Sequence, residues 1–179
     1  VLAHIGTEGG PPVPPINLIG DFGGGGLLLA FGVLAALLER ATSGIGQVVD
    51  AAMVDGSAML MSTFVGMSAM GFWSDERGTN MLDGGAHFYG VYETSDKAWI
   101  SIAAYEPKFY AEFVSLMTPL GIDLDVSTQM EQGRWPEWKN ALSAIFATRS
   151  RDAWGEFFEG HEVCFAPVLT MNEARKHPH

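Results

Sequence analysis

The sequence contains a single cysteine, Cys164, among its 179 residues. A lone cysteine excludes an internal disulfide and a cysteine-based zinc site, and it favours a reducing compartment, so we expect a cytoplasmic protein. The five histidines show no paired spacing that would place two of them on one helix face: His4, His87, His161, His177 and His179. We therefore predict no metal site.

Basic residues are also scarce, with 10 Lys and Arg against 21 Asp and Glu, which gives a formal net charge of −11. This balance argues against a nucleic-acid partner and against an anionic membrane surface, and it equips the chain poorly for holding phosphates alone. The apolar run Leu27–Leu38 is shorter than the roughly 20 residues that span a bilayer. The sequence therefore predicts a globular protein with no nucleic-acid or membrane partner.

The two ends of the sequence do not resemble the ends of a domain. The chain opens without methionine, and Val1–Pro15 has the character of a connection. The last residues, His177–His179, follow no obvious final element. We interpret the sequence as an internal piece of a longer chain.

Asp21 stands just before a glycine run, Gly23–Gly26, and an apolar segment follows. Prolines between Pro11 and Pro15 predict an extended approach, so we expect a loop that delivers Asp21 to a helix N-terminus. Free backbone N–H groups there favour an ionised carboxylate, although an ordinary N-cap would give the same pattern. Consecutive glycines disfavour a helix, and they indicate that another backbone or a ligand approaches closely.

The first half is predicted to be mainly helical. A helix from Asp21 to about Ala41 is apolar nearly all round, which predicts that it is buried, and Gly44 is expected to end it in a left-handed conformation. Gln47–Ala51 is predicted to be a short strand. The next helix, from about Met53 to Met70, is rich in methionine. These methionines either fill core space or form an adaptable surface for apolar partners.

The second half has the pattern of a compact α+β unit, and the loop-like stretch Gly71–Gly85 is the predicted boundary before it. Three strands are predicted, the last at an edge because it contains Pro167: Phe88–Glu93, Ala98–Ala103 and Val163–Leu169. Helices are predicted from Pro107, from Trp135, over Asp152–Phe158 and after a capping box at Thr170.

Carboxylates are the candidates for chemistry in this sequence. Asp21 is the first, and Glu106 is either a second or an ordinary residue of a helix start. Cys164 lies between two apolar residues and is interpreted as an inert, buried thiol.

Five stretches, in order along the chain, resemble the α-methylacyl-CoA racemases of the family III CoA-transferase superfamily. They are Pro14–Gly25, Gly44–Gly56, Asn80–Ala86, Tyr105–Tyr110 and Cys164–Leu169. The aspartate and the Gly-Gln-Val strand are shared across the superfamily, whereas Asn80–Gly85 and Glu106–Tyr110 point to the racemase branch.

The resemblance implies an α/β fold of the family III CoA-transferase type. Residues 1–52 would be the C-terminal part of a large, Rossmann-like CoA-binding domain with its glycine-rich loop, and residues 53–84 a linker helix and loop. Residues 85–170 would form a small α+β domain, and residues 171–179 the start of a return linker. The complete protein is expected to be an interlocked homodimer.

The resemblance also implies epimerisation of 2-methylacyl-CoA thioesters through an enolate. Asp21 matches one acid/base, and a histidine upstream of Val1 would be the other. Coenzyme A would enter as part of the substrate, with no separate cofactor. Glu106 and Tyr89 match positions close to the catalytic pair, with Glu106 counted among the catalytic candidates. The expected substrate-binding residues are Gly23, Gly24, Gly25, Met53 and Tyr89.

Two departures and two alternatives accompany this interpretation. The partner histidine lies outside the sequence, so this piece is expected to be inactive alone. His87 stands where the family has proline, and it is either a local acid or a loop side chain. A CoA transferase of the same superfamily would use Asp21 as a nucleophile. A non-catalytic dimerisation piece, in which the glycines only pack a helix, is the other alternative.

Overall fold

The computed structural model describes residues 1–179 and divides them into two compact units, Val1–Gly78 and Thr79–His179. The division falls inside the loop-like Gly71–Gly85 stretch. The finer assignment of residues 1–52, 53–84, 85–170 and 171–179 to named domains stays a prediction.

A long helical element dominates the first unit. It begins with a π-helical segment, Leu18–Leu27, and continues as helix α1, Leu28–Ser43. The helix predicted from Asp21 to about Ala41 is confirmed, with the glycines inside it, but it starts at Leu18, so the loop that leads to Asp21 ends three residues earlier than predicted. Gly44 ends α1 at φ +74°, and its N–H donates to the Arg40 carbonyl at 2.8 Å, as predicted.

A second helix approaches the glycine run so closely that side chains would not fit at the crossing. Helix α2, Met53–Leu60, crosses the π-helical segment at Gly24 and Gly56. A methyl group on Gly24 would lie 2.9 Å from the Ser57 backbone nitrogen, and one on Gly56 would overlap the Gly24 carbonyl. The close approach of another backbone, predicted from the glycines, is confirmed.

Helix α1 is apolar but is not covered within this chain, since none of its residues is buried. The prediction of a buried helix was wrong here because burying an all-round apolar helix requires neighbours on several sides, and the first unit does not supply them. Leu18–Ser43 is a helix of 26 residues, so the length argument based on Leu27–Leu38 also fails. This helix is long and apolar enough to cross a membrane, and core helices of soluble proteins can be equally long and apolar.

Two further predictions for the first unit need correction. Gln47–Ala51 is not a strand, because no other segment pairs with it and a strand exists only as part of a hydrogen-bonded ladder. The methionine-rich helix is split at Met61 into α2 and helix α3, Ser62–Ala69.

The second unit is built on a three-stranded antiparallel sheet of order β1-β2-β3. The strands are Tyr89–Glu93, Trp99–Ala103 and Phe165–Val168. Pro167 lies opposite Ile100 on β3, an edge strand, as its missing N–H requires. The predicted strands and the α+β character of this half are confirmed.

Four α-helices pack in the second unit: α4, Pro107–Met117; α5, Trp135–Phe146; α6, Arg151–Phe158; and α7, Met171–Ala174. Their apolar faces and the sheet enclose a core rich in aromatic rings, including Phe88, Tyr92, Phe113, Phe146 and Trp154. The predicted capping box is present, with the Thr170 side chain accepting from Glu173 and the Glu173 carboxylate accepting from Thr170.

Candidate functional site

Asp21 lies in the first turn of the π-helical segment and is exposed. The first intrahelical bond runs from the Phe22 N–H to the Asn17 carbonyl at 3.0 Å, so the N–H groups of Ile19, Gly20 and Asp21 come before the ladder begins. A helix N-terminus of this kind favours a negative charge. The cap itself is Asn17, so the alternative in which Asp21 is the N-cap was wrong.

Asn17 is the site residue that the sequence interpretation missed. Its side-chain amide donates to the Asp21 Oδ2 atom at 3.1 Å. The sequence feature that could have predicted this bond is the spacing of four residues, which brings an asparagine and an aspartate together on a helix surface. The bond fixes one carboxylate oxygen.

The glycines expected to bind substrate face helix α2. A methyl group on Gly23 would meet Leu60 at 3.4 Å, and one on Gly25 would meet Met53 at 3.1 Å. Each glycine thus has a packing role, and substrate contact at Gly23, Gly24 and Gly25 stays a prediction. Because α2 sits on this run, Met53 is held in the same unit as Asp21.

The five methionines between Met53 and Met70 are not core residues in this chain. Met53, Met59 and Met70 are exposed, and Met61 and Met67 are half-buried. The adaptable-surface alternative is the one that this exposure supports.

Glu106 and Tyr89 lie at the same end of the sheet in the second unit. Tyr89 pairs with Ala103 across the β1–β2 ladder, and Glu106 comes three residues after Ala103. Glu106 occupies the N-cap position of α4, but its exposed carboxylate makes no capping hydrogen bond. An ordinary capping role therefore does not account for this carboxylate. The structure gathers the predicted residues in two groups, one in each unit.

Cys164 is exposed, so the prediction of a buried thiol was wrong. Its backbone has φ +49° just before β3, and this turn brings the side chain to the surface. Partial burial and then the charge of Glu106 raise the pKa of the Cys164 thiol. The thiol is thus kept protonated, which makes it a poor nucleophile.

His87 lies in the turn just before β1, as the loop alternative predicted, and it is buried in the second unit, so it is not an acid within reach of a substrate. Its Nε2 atom lies 2.7 Å from the Tyr110 hydroxyl, and its ring packs against Trp138 with centroids 4.7 Å apart. Burial lowers the pKa of His87 to about 3. The imidazole is therefore neutral at physiological pH.

Comparisons with known proteins agree with this architecture. The family model for CoA-transferase family III matches residues 1–179. The chain is 44% identical over its whole length to an α-methylacyl-CoA racemase of Mus musculus and 42% identical to that of Homo sapiens. Each alignment covers 46% of the relative, so the chain spans about half the length of these proteins.

Solved structures share the fold. A hypothetical protein of Mycobacterium tuberculosis, Rv3272, aligns with 95% of this chain at a TM-score of 0.67 and 25% identity, over 44% of its own chain. A CAIB/BAIF family protein of Brucella suis aligns with 99% of this chain at a TM-score of 0.64 and 23% identity, over 47% of its own chain. Because the family model matches residues 1–179, the chain belongs to CoA-transferase family III.

Proposed function

We propose that the longer protein containing this chain epimerises 2-methylacyl-CoA thioesters. The observation that carries the proposal is the identity of 42–44% over the whole chain to two α-methylacyl-CoA racemases. The position of Asp21 supports it, because an exposed carboxylate at a helix N-terminus is open to a substrate.

In the proposed reaction Asp21 is one of two acid/base groups. Its carboxylate takes the α-proton, the C–H electron pair moves into the thioester, and an enolate forms. A second acid, a histidine upstream of this chain, then returns a proton to the opposite face of the α-carbon. Run in reverse, Asp21 donates the proton and the histidine accepts it.

The first turn of the π-helical segment is placed to stabilise the negative charge that develops on the enolate oxygen. The N–H groups that precede the intrahelical ladder, from Ile19 to Asp21, are preorganised donors near the reacting carboxylate. Donors of this kind stabilise an enolate oxygen. The hydrogen bond from Asn17 leaves the Asp21 Oδ1 atom without a protein donor, so this oxygen is available to a proton.

The remaining residues have supporting roles in the proposal. Met53 and the neighbouring methionines form the surface for the acyl chain, and Gly23–Gly25 allow close approach. Glu106 and Tyr89 act next to the catalytic pair in an interlocked homodimer. Coenzyme A enters with the substrate, no separate cofactor takes part, and the cytoplasm is the proposed compartment. The 179-residue piece alone lacks the second acid/base and is expected to be inactive.

The test uses the complete protein with one epimer of a 2-methylacyl-CoA in D2O and no carboxylate acceptor. Incorporation of deuterium at the α-carbon with loss of stereochemical purity, abolished by Asp21→Ala, is the expected result. Mass spectrometry and NMR report both. Full activity of Asp21→Asn would mean that the residue is only structural, because an asparagine amide can neither accept nor return the α-proton.

A CoA transferase is the second candidate, favoured by the name of the family and by 28% identity to an acyl-CoA transferase of Fusarium pseudograminearum. Here Asp21 attacks the thioester carbonyl, the C–S bond breaks, and a mixed anhydride forms as the CoA thiolate leaves. Absence of α-exchange, together with a hydroxylamine-sensitive acyl group on Asp21, would establish this reaction and exclude the racemase.

A further inference from the structure

Ile16 has an unusual backbone conformation for its residue type. Its φ is +56°, in the left-handed region that favours glycine and that a branched Cβ makes unfavourable. Its side chain is 80% exposed. Packing inside this chain therefore does not compensate for the strained backbone.

The strain belongs to a tight turn. The Leu18 N–H donates to the Pro15 carbonyl at 3.3 Å, and Asn17 follows Ile16 at φ −95° and ψ 11°. A positive φ at the first central residue is typical of the mirror-image turn types, in which glycine, asparagine and aspartate dominate that position. Glycine at position 16 would make this turn more stable, so the stability of the turn does not explain why the residue is an isoleucine.

The turn leads directly into the candidate site. Asn17, the next residue, donates a hydrogen bond to the Asp21 carboxylate. Two large apolar residues adjacent to this pair in the sequence, Leu18 and Phe22, are each 61% exposed. A substrate that gives its α-proton to Asp21 must bring the α-carbon within hydrogen-bond reach of this carboxylate. The acyl substituents on that carbon then occupy the space beside the turn.

We propose that Ile16 is a specificity-determining residue whose side chain packs against the acyl group of the thioester bound at Asp21. Strained residues persist at functional sites, where the conformation serves the mechanism. The inference rests on the proposed function only in requiring that an acyl-CoA binds at Asp21. It applies equally to epimerisation and to acyl transfer.

The test uses two variants of the complete protein, Ile16→Gly and Ile16→Asn. Both residues tolerate the left-handed region, so neither adds backbone strain. We expect the Kd for 2-methyldecanoyl-CoA to rise roughly tenfold in both, as the loss of one buried aliphatic side chain implies. The Kd for acetyl-CoA, which lacks the long chain, should change less than about twofold. KM should rise with kcat nearly constant, the signature of a lost binding contact.

Lys97→Gly is the matched control. Lys97 also has a positive φ, +63°, but it lies in the β1–β2 turn of the second unit. This variant relieves the same kind of strain and should leave both affinities unchanged.

Several outcomes would overturn the inference. Unchanged affinity for 2-methyldecanoyl-CoA, or equal weakening for both ligands, would show that Ile16 does not contact the acyl chain. A fall in Tm of more than about 5 °C in both variants would show that the side chain packs within the complete protein. Absence of α-exchange in the parent would count against the racemase alone, whereas absence of acyl-CoA binding would overturn both proposals.

Discussion

The Asn17 side-chain amide donates a hydrogen bond to the Asp21 carboxylate at 3.1 Å, from one helical turn earlier. Asn17 is also the N-cap, and its carbonyl accepts the first intrahelical bond from Phe22 at 3.0 Å. One residue therefore starts the helix and orients the carboxylate. The geometry of the proposed base depends on Asn17 as much as on Asp21.

Asn17→Ala should lower kcat for α-deuterium exchange by about 10-fold in the complete protein, because the loss of a hydrogen bond to a charged group is worth about 1.5–3 kcal/mol. Asn17→Asp should lower it further, since a second carboxylate would repel Asp21. Asn140→Ala, at an exposed asparagine of α5, is the control and should retain parental activity. Parental kcat in Asn17→Ala would show that the bond does not orient the base.

Gly56→Ala should destabilise the protein by roughly 1–3 kcal/mol, because the added methyl group overlaps the Gly24 carbonyl. Gly66→Ala, in α3, should stabilise it by about 0.5–1 kcal/mol, because a methyl group there meets nothing within 4 Å and alanine is the better helix former. Thermal unfolding of the complete protein compares the two. Equal effects from both substitutions would mean that the helix crossing is not tight.

Buried His87 should make the protein sensitive to acid. Its pKa is lowered to about 3 by burial, whereas an unfolded histidine titrates near 6.5. The unfolded state thus binds the proton first, and stability is lost as pH falls from 6.5 towards 3, by on the order of 2 kcal/mol at pH 4.5. His87→Phe should remove this loss, as measured by urea unfolding at pH 7.5 and pH 4.5.

His87→Phe should also lower the stability of the protein at neutral pH, because it removes a hydrogen-bond partner of Tyr110. The Tyr110 hydroxyl loses the ring nitrogen that lies 2.7 Å away, which should cost about 1–2 kcal/mol at pH 7.5. His87→Phe combined with Tyr110→Phe should recover most of this loss. Parallel stability–pH curves for the parent and His87→Phe would refute the role of His87.

The Arg151–Glu173 ion pair should stabilise the fold only above acidic pH. Hydrogen bonds from Arg151 and from Thr170 lower the pKa of Glu173 to about 2, and Arg151 Nη2 lies 2.7 Å from Glu173 Oε1. A depressed carboxyl pKa adds stability that is present above the unfolded value, near 4.3, and is lost as pH falls through about 2.

Glu173→Gln should therefore be less stable than the parent at pH 7, and the difference should shrink between pH 4.5 and pH 2. Urea unfolding across this range measures it. Glu156→Gln, at an exposed glutamate of α6, should track the parent throughout. A difference in stability that does not change with pH would contradict the ionic contribution.

Local patterns predicted much of the second unit. Alternation across a polar turn predicted β1 and β2, Pro107 predicted the start of α4, and Thr170 with Glu173 predicted the capping box. These features depend on residues that are neighbours along the chain. The predicted strand Gln47–Ala51 was wrong for the opposite reason, since a strand requires a pairing partner, often distant in sequence, and no segment of this chain pairs with it.

The candidate site was predicted in part. The residue type and the glycines indicated Asp21, and the resemblance to the racemases added Glu106, Tyr89 and Met53. The hydrogen bond from Asn17 and the strained turn at Ile16 were not predicted, because each depends on backbone angles that the residue order does not specify.

By itself the sequence determined the family, the placement of the carboxylate ahead of a glycine run, and the order of helices and strands in the second unit. These follow from residue types at short spacings, which set local propensity and local hydrogen bonding. Only the tertiary structure decided that α2 crosses the glycine run, that His87 is buried and that Cys164 is exposed. Those outcomes depend on the approach of segments distant in sequence: α2 against Gly24, Tyr110 and Trp138 around His87, and the turn before β3 that carries Cys164 outward.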